Sequence, residues 1–327
     1  MASVQWNREK IITDFGQNLD AIAPVIISAS RATDIPAFYP DWFIRRIRAG
    51  YVRWVNPFNG NAQYVSFSKA RLIVFWTKNP TPVMPFLDEI ESRGLNYFFH
   101  ITLNDYEMEN YEPFLPSLEK RVESFISLSE RIGPQKVHWR FDPLLITDTV
   151  SPEKLVEKVL RVGEMIHRYT SRLTVSFFSP YQKVLSRCRR EGVKLLPTPE
   201  ELRRRVLSEL SKMAQEWHLK ICTCADGGDY SDLGIMPGRC IDENHLVQTF
   251  SDDFELVRFL DPSWQPDLFG EVHFRKGLRD TGQRQFCGCV KSKDIGRYNT
   301  CPHGCLYCYA NSGIDRVKCS EGNSDAL

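Results

Sequence analysis

The sequence predicts an α/β fold, a TIM-like (β/α)6 partial barrel that could extend to eight strands, followed by a Cys-rich C-terminal cap. Three observations predict it. Apolar runs rich in β-branched and aromatic residues recur six times, with amphipathic stretches between them. The runs are apolar almost without interruption, which suits strands buried on both faces of a parallel sheet. Six of the ten Cys then fall between Cys287 and Cys319, beyond the last such run.

The first strand is expected at residues 25–30. A helix follows over 40–48 and stops at Gly50, a residue that takes the left-handed conformation past a helix end without strain. Asn59-Gly60, between runs 51–55 and 63–67, reads as a β-hairpin turn inserted before the second parallel strand. Further strands are expected at 72–76, 97–103, 137–141, 173–178 and 219–224. The helices between them are placed at 82–93, 118–131, 152–169 and 199–217. The last has Thr198 as N-cap, Pro199 at the first helical position and Glu201 completing a capping box. Strand–helix–strand order implies right-handed crossovers.

After Cys224 the pattern weakens into turn-rich segments such as Asp226-Gly227-Gly228-Asp229 and Met236-Pro237-Gly238-Arg239. Residues 1–225 therefore read as the barrel domain. Residues 226–327 read as an extension capping the barrel mouth, where the loops after the strands gather. The last residues, 321–327, look like a disordered tail.

Composition narrows the function classes. The chain has 327 residues, 42% hydrophobic and 25% charged, with a formal net charge of +1. That balance gives no general attraction to nucleic acid or anionic membrane. No apolar stretch approaches the roughly 18 residues of a membrane span, and the N-terminus lacks the apolar segment of a signal peptide. A cytoplasmic protein is expected. Closely spaced Cys in that setting point to metal or redox chemistry rather than disulfides.

Cys301, Cys305 and Cys308 stand at C-x3-C-x2-C spacing. Three thiolates at that spacing can hold three irons of a [4Fe-4S] cluster and leave the fourth open to a small molecule, whereas electron-transfer clusters usually have four Cys ligands. A zinc knuckle is the alternative, but His303 lies too tightly between Cys301 and Cys305 for a comfortable fourth ligand. A second group is Cys224, Cys240, Cys287 and Cys289, enough thiolates for a complete centre: a second [4Fe-4S] cluster, zinc, or no metal. Cys222 could replace Cys224. Cys188 and Cys319 read as plain thiols.

The run Cys301-Pro302-His303-Gly304-Cys305-Leu306-Tyr307-Cys308-Tyr309-Ala310 resembles the cluster motif of radical S-adenosylmethionine (SAM) enzymes, especially the spore-photolyase-like branch. In most of that superfamily the motif follows the first barrel strand; here it follows every expected strand. That placement, with stretches at 28–36, 75–80, 139–143, 240–242 and 287–311, resembles the bacterial family of domain of unknown function 1848. The resemblance implies a [4Fe-4S] cluster on the three Cys, SAM on its open iron, Tyr307 near the adenine, and reductive cleavage of SAM to a 5′-deoxyadenosyl radical. An electron donor such as flavodoxin or ferredoxin would be needed. No substrate is implied.

Polar residues at strand ends complete the expected site, because that edge is where barrel active sites form. Arg31, Lys78 and Arg140 are suited to the SAM carboxylate or an anionic substrate. Asp34, Asn104 and Asp142 are suited to its ammonium or ribose hydroxyls. Thr77, Asn79 and Ser179 are further candidates for cofactor binding. Two rival readings carry a different function: a non-catalytic iron-sulfur protein for electron transfer or redox sensing, and a metal-stabilised nucleic-acid-binding or repair protein. The Arg runs at 45–48 and 203–205 suggest the second, although a solvated helix face is their ordinary role.

Overall fold

The computed structural model describes residues 5–261, 263, 273–313, 317 and 324–327; Cys319 lies outside them. The chain opens with strands β1 (Asn7–Ile12) and β2 (Asn18–Ala23), an antiparallel pair that the sequence reading missed. These strands are short and half-exposed, so their apolar content is diluted by Arg8, Lys10 and Asp20. With β4 (Tyr51–Val55) and β5 (Ala62–Ser66), the expected hairpin, they form a small sheet in the order β1-β2-β5-β4.

The large sheet matches the expected parallel strands almost residue for residue. It holds β3 (Ile26–Ala29), β6 (Leu72–Thr77), β7 (Asn96–Thr102), β8 (Val137–Leu144), β9 (Arg172–Phe177) and β10 (Lys220–Cys224). Two short strands from the C-terminal segment extend it, β11 (Met236–Gly238) beside β10 and β12 (Lys293–Asp294) beside β3. Among the described residues the order is β11-β10-β9-β8-β7-β6-β3-β12, every pair is parallel, and no pair joins β11 to β12. What is seen is a large parallel sheet in an α/β fold.

Helices α1 (Ile35–Phe38), α2 (Pro40–Ala49), α3 (Leu87–Ser92), α4 (Leu118–Ile132), α5 (Pro152–Ile166), α6 (Gln182–Arg190) and α7 (Glu200–Glu216) connect the strands. Gly50 ends α2 in the left-handed region, as its position predicts. The expected helix over 82–93 is split, with a 3-10 turn at Met84–Phe86 before α3; Pro85 supplies no N–H for a regular first turn. The capping box at α7 is absent. Pro199 is the N-cap with no side-chain hydrogen bond, Arg203 Nε donates to the Thr198 carbonyl at 2.9 Å, and Glu200 and Glu201 complement the helix dipole.

Alternation along the strands divides the core in two. Ile27, Ile73, Phe75, Phe99, Trp139 and Phe141 face one layer with helices α2 to α7. Ile26, Leu72, Val74 and Phe98 point to the other face. That face is covered by the C-terminal segment, through α8 (Glu243–Thr249), α9 (Phe254–Leu260) and residues around Val290. Asp242 and Asp253 cap these two helices. Segment 226–327 therefore does more than cover an edge: it supplies both edge strands and one packed layer. A fully buried side chain such as Leu246 or Leu260 contributes about 1.5–3 kcal/mol there. His100 and His138, paired in register on β7 and β8, are buried in this layer beside His245 of α8.

The expected disordered tail is corrected in part. Residues 321–323 lie outside the described residues, but Ala326 and Leu327 are buried. Trp42 Nε1 donates to the Ser324 carbonyl at 3.0 Å and Arg53 N to the Asp325 carbonyl at 2.9 Å. Backbone pairing of this kind holds a terminus that composition alone would release. Among the described residues no helix is long and apolar enough to cross a membrane.

Candidate metal centre

The loop carrying Cys301, Cys305 and Cys308 is brought to the C-terminal edge of the sheet by contacts with the residues that follow β3, β6 and β7. Asp34 is buried after β3. Its Oδ1 accepts from Ala37 N at the start of α1, and its Oδ2 accepts from Lys78 N at 2.8 Å. The same Oδ2 meets His303 Nε2 at 2.8 Å. One carboxylate thus ties two strand ends to the cysteine loop.

Tyr307 makes the second tie. Its hydroxyl receives hydrogen bonds from Lys78 Nζ and Asn104 Nδ2, each at 2.9 Å, and donates to Glu112 Oε1. Lys78 Nζ also donates to Glu112 Oε1 at 2.6 Å, and Arg121 approaches the other oxygen of Glu112 at 3.7 Å. Although burial opposes the charge on Glu112, Lys78 and Arg121 hold its carboxyl below the ordinary range. Asn104 further receives from Asp142 N through Oδ1 at 2.9 Å, joining β8 to this network.

Arg187, from α6, makes the third tie. Its Nη1 donates to the carbonyls of Cys305, Leu306 and Cys308 at 3.0, 3.0 and 3.1 Å, and its Nη2 to that of Asn311. A buried guanidinium thus fixes the backbone of the loop from Cys305 to Asn311. Gly304 sits at φ +70, and a Cβ there would come within 2.6 Å of Phe114. The loop can turn and close against the β7–α4 connection only with glycine at that place.

Burial pushes the Cys305 thiol well up against the pull of Lys78, and burial with Asp34 raises Cys301 to about 12. Thiols so placed ionise only with a cation to compensate. No sulfur–sulfur contact joins the three among these residues. Nor, among the described residues, are three or more His, Cys, Asp or Glu donors already gathered into a metal-holding group.

The second set of cysteines converges on the other side of β8. Cys224 Sγ and Cys240 Sγ are 3.5 Å apart, and Cys289 Sγ accepts from Cys240 N at 3.2 Å. Contact with Cys289 lowers the Cys287 thiol to about 7 despite burial. Arg140 Nη1 reaches Cys240 Sγ at 2.9 Å and Arg284 Nη2 reaches Cys224 Sγ at 3.3 Å. Cys222, two residues before Cys224, instead lies 3.4 Å from Thr174 Oγ1. Cys188 is a buried thiol on α6.

Of the remaining expected residues, Arg140 and Arg31 lie with the second set and the others serve local turns. Arg140 also pairs with Asp142, inside β8 rather than beyond it. Arg31 donates from its backbone to Asp294 at 2.7 Å and holds its guanidinium 4.9 Å over Trp76. Thr77, Asn79 and Ser179 shape their own turns: Thr77 Oγ1 accepts from Asn79 N, Asn79 Oδ1 from Thr81 N, and the Ser179 carbonyl from Tyr181 N. The Arg runs are engaged with acids. Arg46 pairs with Asp14, Arg48 with Glu89, Arg203 with Asp226, Arg204 with Asp232 and Arg205 with Glu153.

Sequence reading missed Glu112, Arg187 and Arg284. Each lies in a loop or on a short helix with no pattern around it. Only their contacts in the fold reveal them: Glu112 with Lys78 and Tyr307, Arg187 with the loop carbonyls and Arg284 with Cys224.

The profile of the family described as Domain of unknown function (DUF1848) matches residues 26–310, which takes in both cysteine sets and every strand of the large sheet. No curated protein matches the chain. A crystal structure described as a "putative alpha-L-fucosidase" from Bacteroides thetaiotaomicron is similar at 10% identity over 58% of this chain and 73% of that one. Its TM-score of 0.23 carries no argument about fold or function.

Proposed function

Since the chain belongs to the DUF1848 family, we propose that it is a radical SAM enzyme whose [4Fe-4S] cluster is held by Cys301, Cys305 and Cys308. The observation that carries this reading is the docking of a C-x3-C-x2-C loop on the C-terminal edge of a parallel sheet, its sulfurs out of contact with one another. The donor set fits the group, because three thiols on one loop with Lys78 within charge range of Cys305 combine soft ligands with positive charge. When bound, such a cluster supplies one electron to SAM, yielding a 5′-deoxyadenosyl radical able to take a hydrogen atom from substrate.

The chain's own part is positioning and exclusion of water. Asp34 and His303 hold the first half of the loop, and Tyr307, Lys78 and Glu112 hold the second. Arg187 fixes the backbone that carries Cys305 and Cys308. Arg31 and Arg140, the other expected cations, are taken up by the second cysteine set and by Asp142. An external one-electron donor of the flavodoxin or ferredoxin type completes the system.

The test is anaerobic reconstitution with iron and sulfide, reduction in the presence of SAM, and assay for 5′-deoxyadenosine. Product is expected with the native chain and none with Cys305→Ala. Full iron content and product in that variant would overturn the ligand assignment. Iron without any 5′-deoxyadenosine would favour a protein that only carries electrons.

A further inference from the structure

The two cysteine sets differ in how their sulfurs stand. In the loop at 301–308 no thiol hydrogen-bonds to another, although Cys301 and Cys308 both act on Cys305 through their charge. In the other set Cys224 Sγ and Cys240 Sγ are 3.5 Å apart and Cys289 Sγ accepts from Cys240 N at 3.2 Å, with Cys287 two residues before it. All four are buried, and they come from β10, the loop before α8, and the segment before β12. Burying four thiols together has no packing advantage over four apolar side chains of equal size, and two guanidiniums are spent on their sulfurs.

We infer that Cys224, Cys240, Cys287 and Cys289 form a mononuclear tetrathiolate site for zinc, distinct from the cluster loop and closed to substrate. The distances discriminate. Metal–sulfur bonds of about 2.3 Å in a tetrahedron place neighbouring sulfurs ~3.8 Å apart. Cys224 and Cys240 stand 3.5 Å apart, close to that edge and too far for a disulfide bond. A [4Fe-4S] cube seats each thiolate on a different iron and needs its inorganic core between them. Sulfurs in van der Waals contact leave no space for that core. Cys240 meets Cys224 through sulfur and Cys289 through its backbone N–H, and the four are not yet gathered round one point; a divalent cation draws them together as they lose their protons.

Charge supports the same assignment. Four thiolates with one zinc carry a net charge of −2. Arg140 and Arg284 each donate to one of the sulfurs, and Arg31 lies within Coulombic reach of Cys289 and Cys240. Hydrogen bonds to ligand sulfur of this kind orient a metal's ligands and stabilise their anionic form. A four-coordinate thiolate site offers no open position, so its role is structural. It clamps the C-terminal segment to the end of β10, and the segment in turn carries the 301–308 loop. The inference does not depend on the radical-enzyme reading, since neither metal content nor coordination requires SAM chemistry.

The experiment compares the full chain with its Cys301→Ser/Cys305→Ser/Cys308→Ser variant, purified without chelators and assayed for zinc and iron by plasma mass spectrometry. The triple variant is expected to keep about one zinc per chain and no iron, with four sulfurs at about 2.3 Å by zinc X-ray absorption. Adding Cys240→Ser should lower the zinc at least about fivefold. If that variant does not fold, mercurial titration of the triple variant serves instead, zinc leaving in step with the four thiols. Iron in place of zinc, a zinc content below about one fifth per chain, or a disulfide among the four would overturn the assignment.

Discussion

Replacing Arg187 by Met removes a cation that, among the described residues, pairs with no acid but serves four carbonyls of the cysteine loop, those of Cys305, Leu306, Cys308 and Asn311. A buried acceptor left without its donor costs about 1–3 kcal/mol, so four such groups set a ceiling of roughly 12 kcal/mol. The loop borders a cleft of about 290 Å³ lined by Tyr111, Phe114 and Gly304, through which water reaches some of the exposed carbonyls. Relaxation of that kind brings the expected loss to about 3–4 kcal/mol, since single substitutions seldom exceed 4–5. Met keeps most of the length and apolar stem of the side chain, so the change isolates the hydrogen bonds. Arg187→Lys, with a single ammonium that cannot span four oxygens, should fall between the two.

Urea unfolding of the metal-free chain measures the loss directly, and hydrogen exchange of residues 301–311 locates it. Arg187→Met is expected to lower the unfolding free energy by the stated amount and to abolish protection in that segment first. A loss under about 0.5 kcal/mol, in the range of an ordinary surface change, with unaltered protection at 301–311 would refute the view that Arg187 holds the loop.

Two other perturbations test the layers around the site. Lys78→Met leaves Glu112 charged and buried, and about 3–5 kcal/mol is expected to be lost, whereas the double change with Glu112→Leu should recover a large part of it; additive losses in a denaturation double-mutant cycle would show that the pair is not coupled. Acid should weaken the layer under the sheet. Burial first, then the charge of Arg172, lowers His245 to about 4, and burial drives His100 and His138 well below the usual value. A depressed histidine leaves the unfolded chain to bind the proton first, so its stabilisation is complete above about pH 6.5 and declines as pH falls toward about 4. At pH 5 one such histidine should cost about 2 kcal/mol relative to pH 7.5. A urea midpoint that falls with pH in the native chain, and falls less in His138→Phe, is the expected result; equal slopes would contradict it.

Regular structure was legible where burial is two-sided. Six strands were placed from near-continuous runs such as Leu72–Thr77, because a strand covered on both faces must be apolar at every position. β1 and β2 were missed for the converse reason. Their alternation is weak and their exposed positions carry Arg8, Glu9 and Lys10. α8 and α9 have clear N-caps in Asp242 and Asp253, but each is seven residues long, too short for a periodic pattern to stand out. The 3-10 turn before α3 turned on Pro85, a local rule given too little weight.

The motif spacing at Cys301, Cys305 and Cys308 and the polar strand ends at Asp34, Lys78 and Asn104 are local facts, readable along the chain. Their meeting is not: the Asp34–His303 pair spans 269 positions and the Lys78–Tyr307 pair 229. What the sequence by itself determined is the set of chemical groups and the strands that end beside them, since those follow from short-range pattern. Only the tertiary structure decided that the C-terminal segment fills the second face of the sheet, that Glu112 and Arg187 secure the cysteine loop, and that Cys224 and Cys240 meet through their sulfurs. Those outcomes depend on the balance of buried charge and hydrogen bonds between distant parts of the chain, which no local pattern encodes.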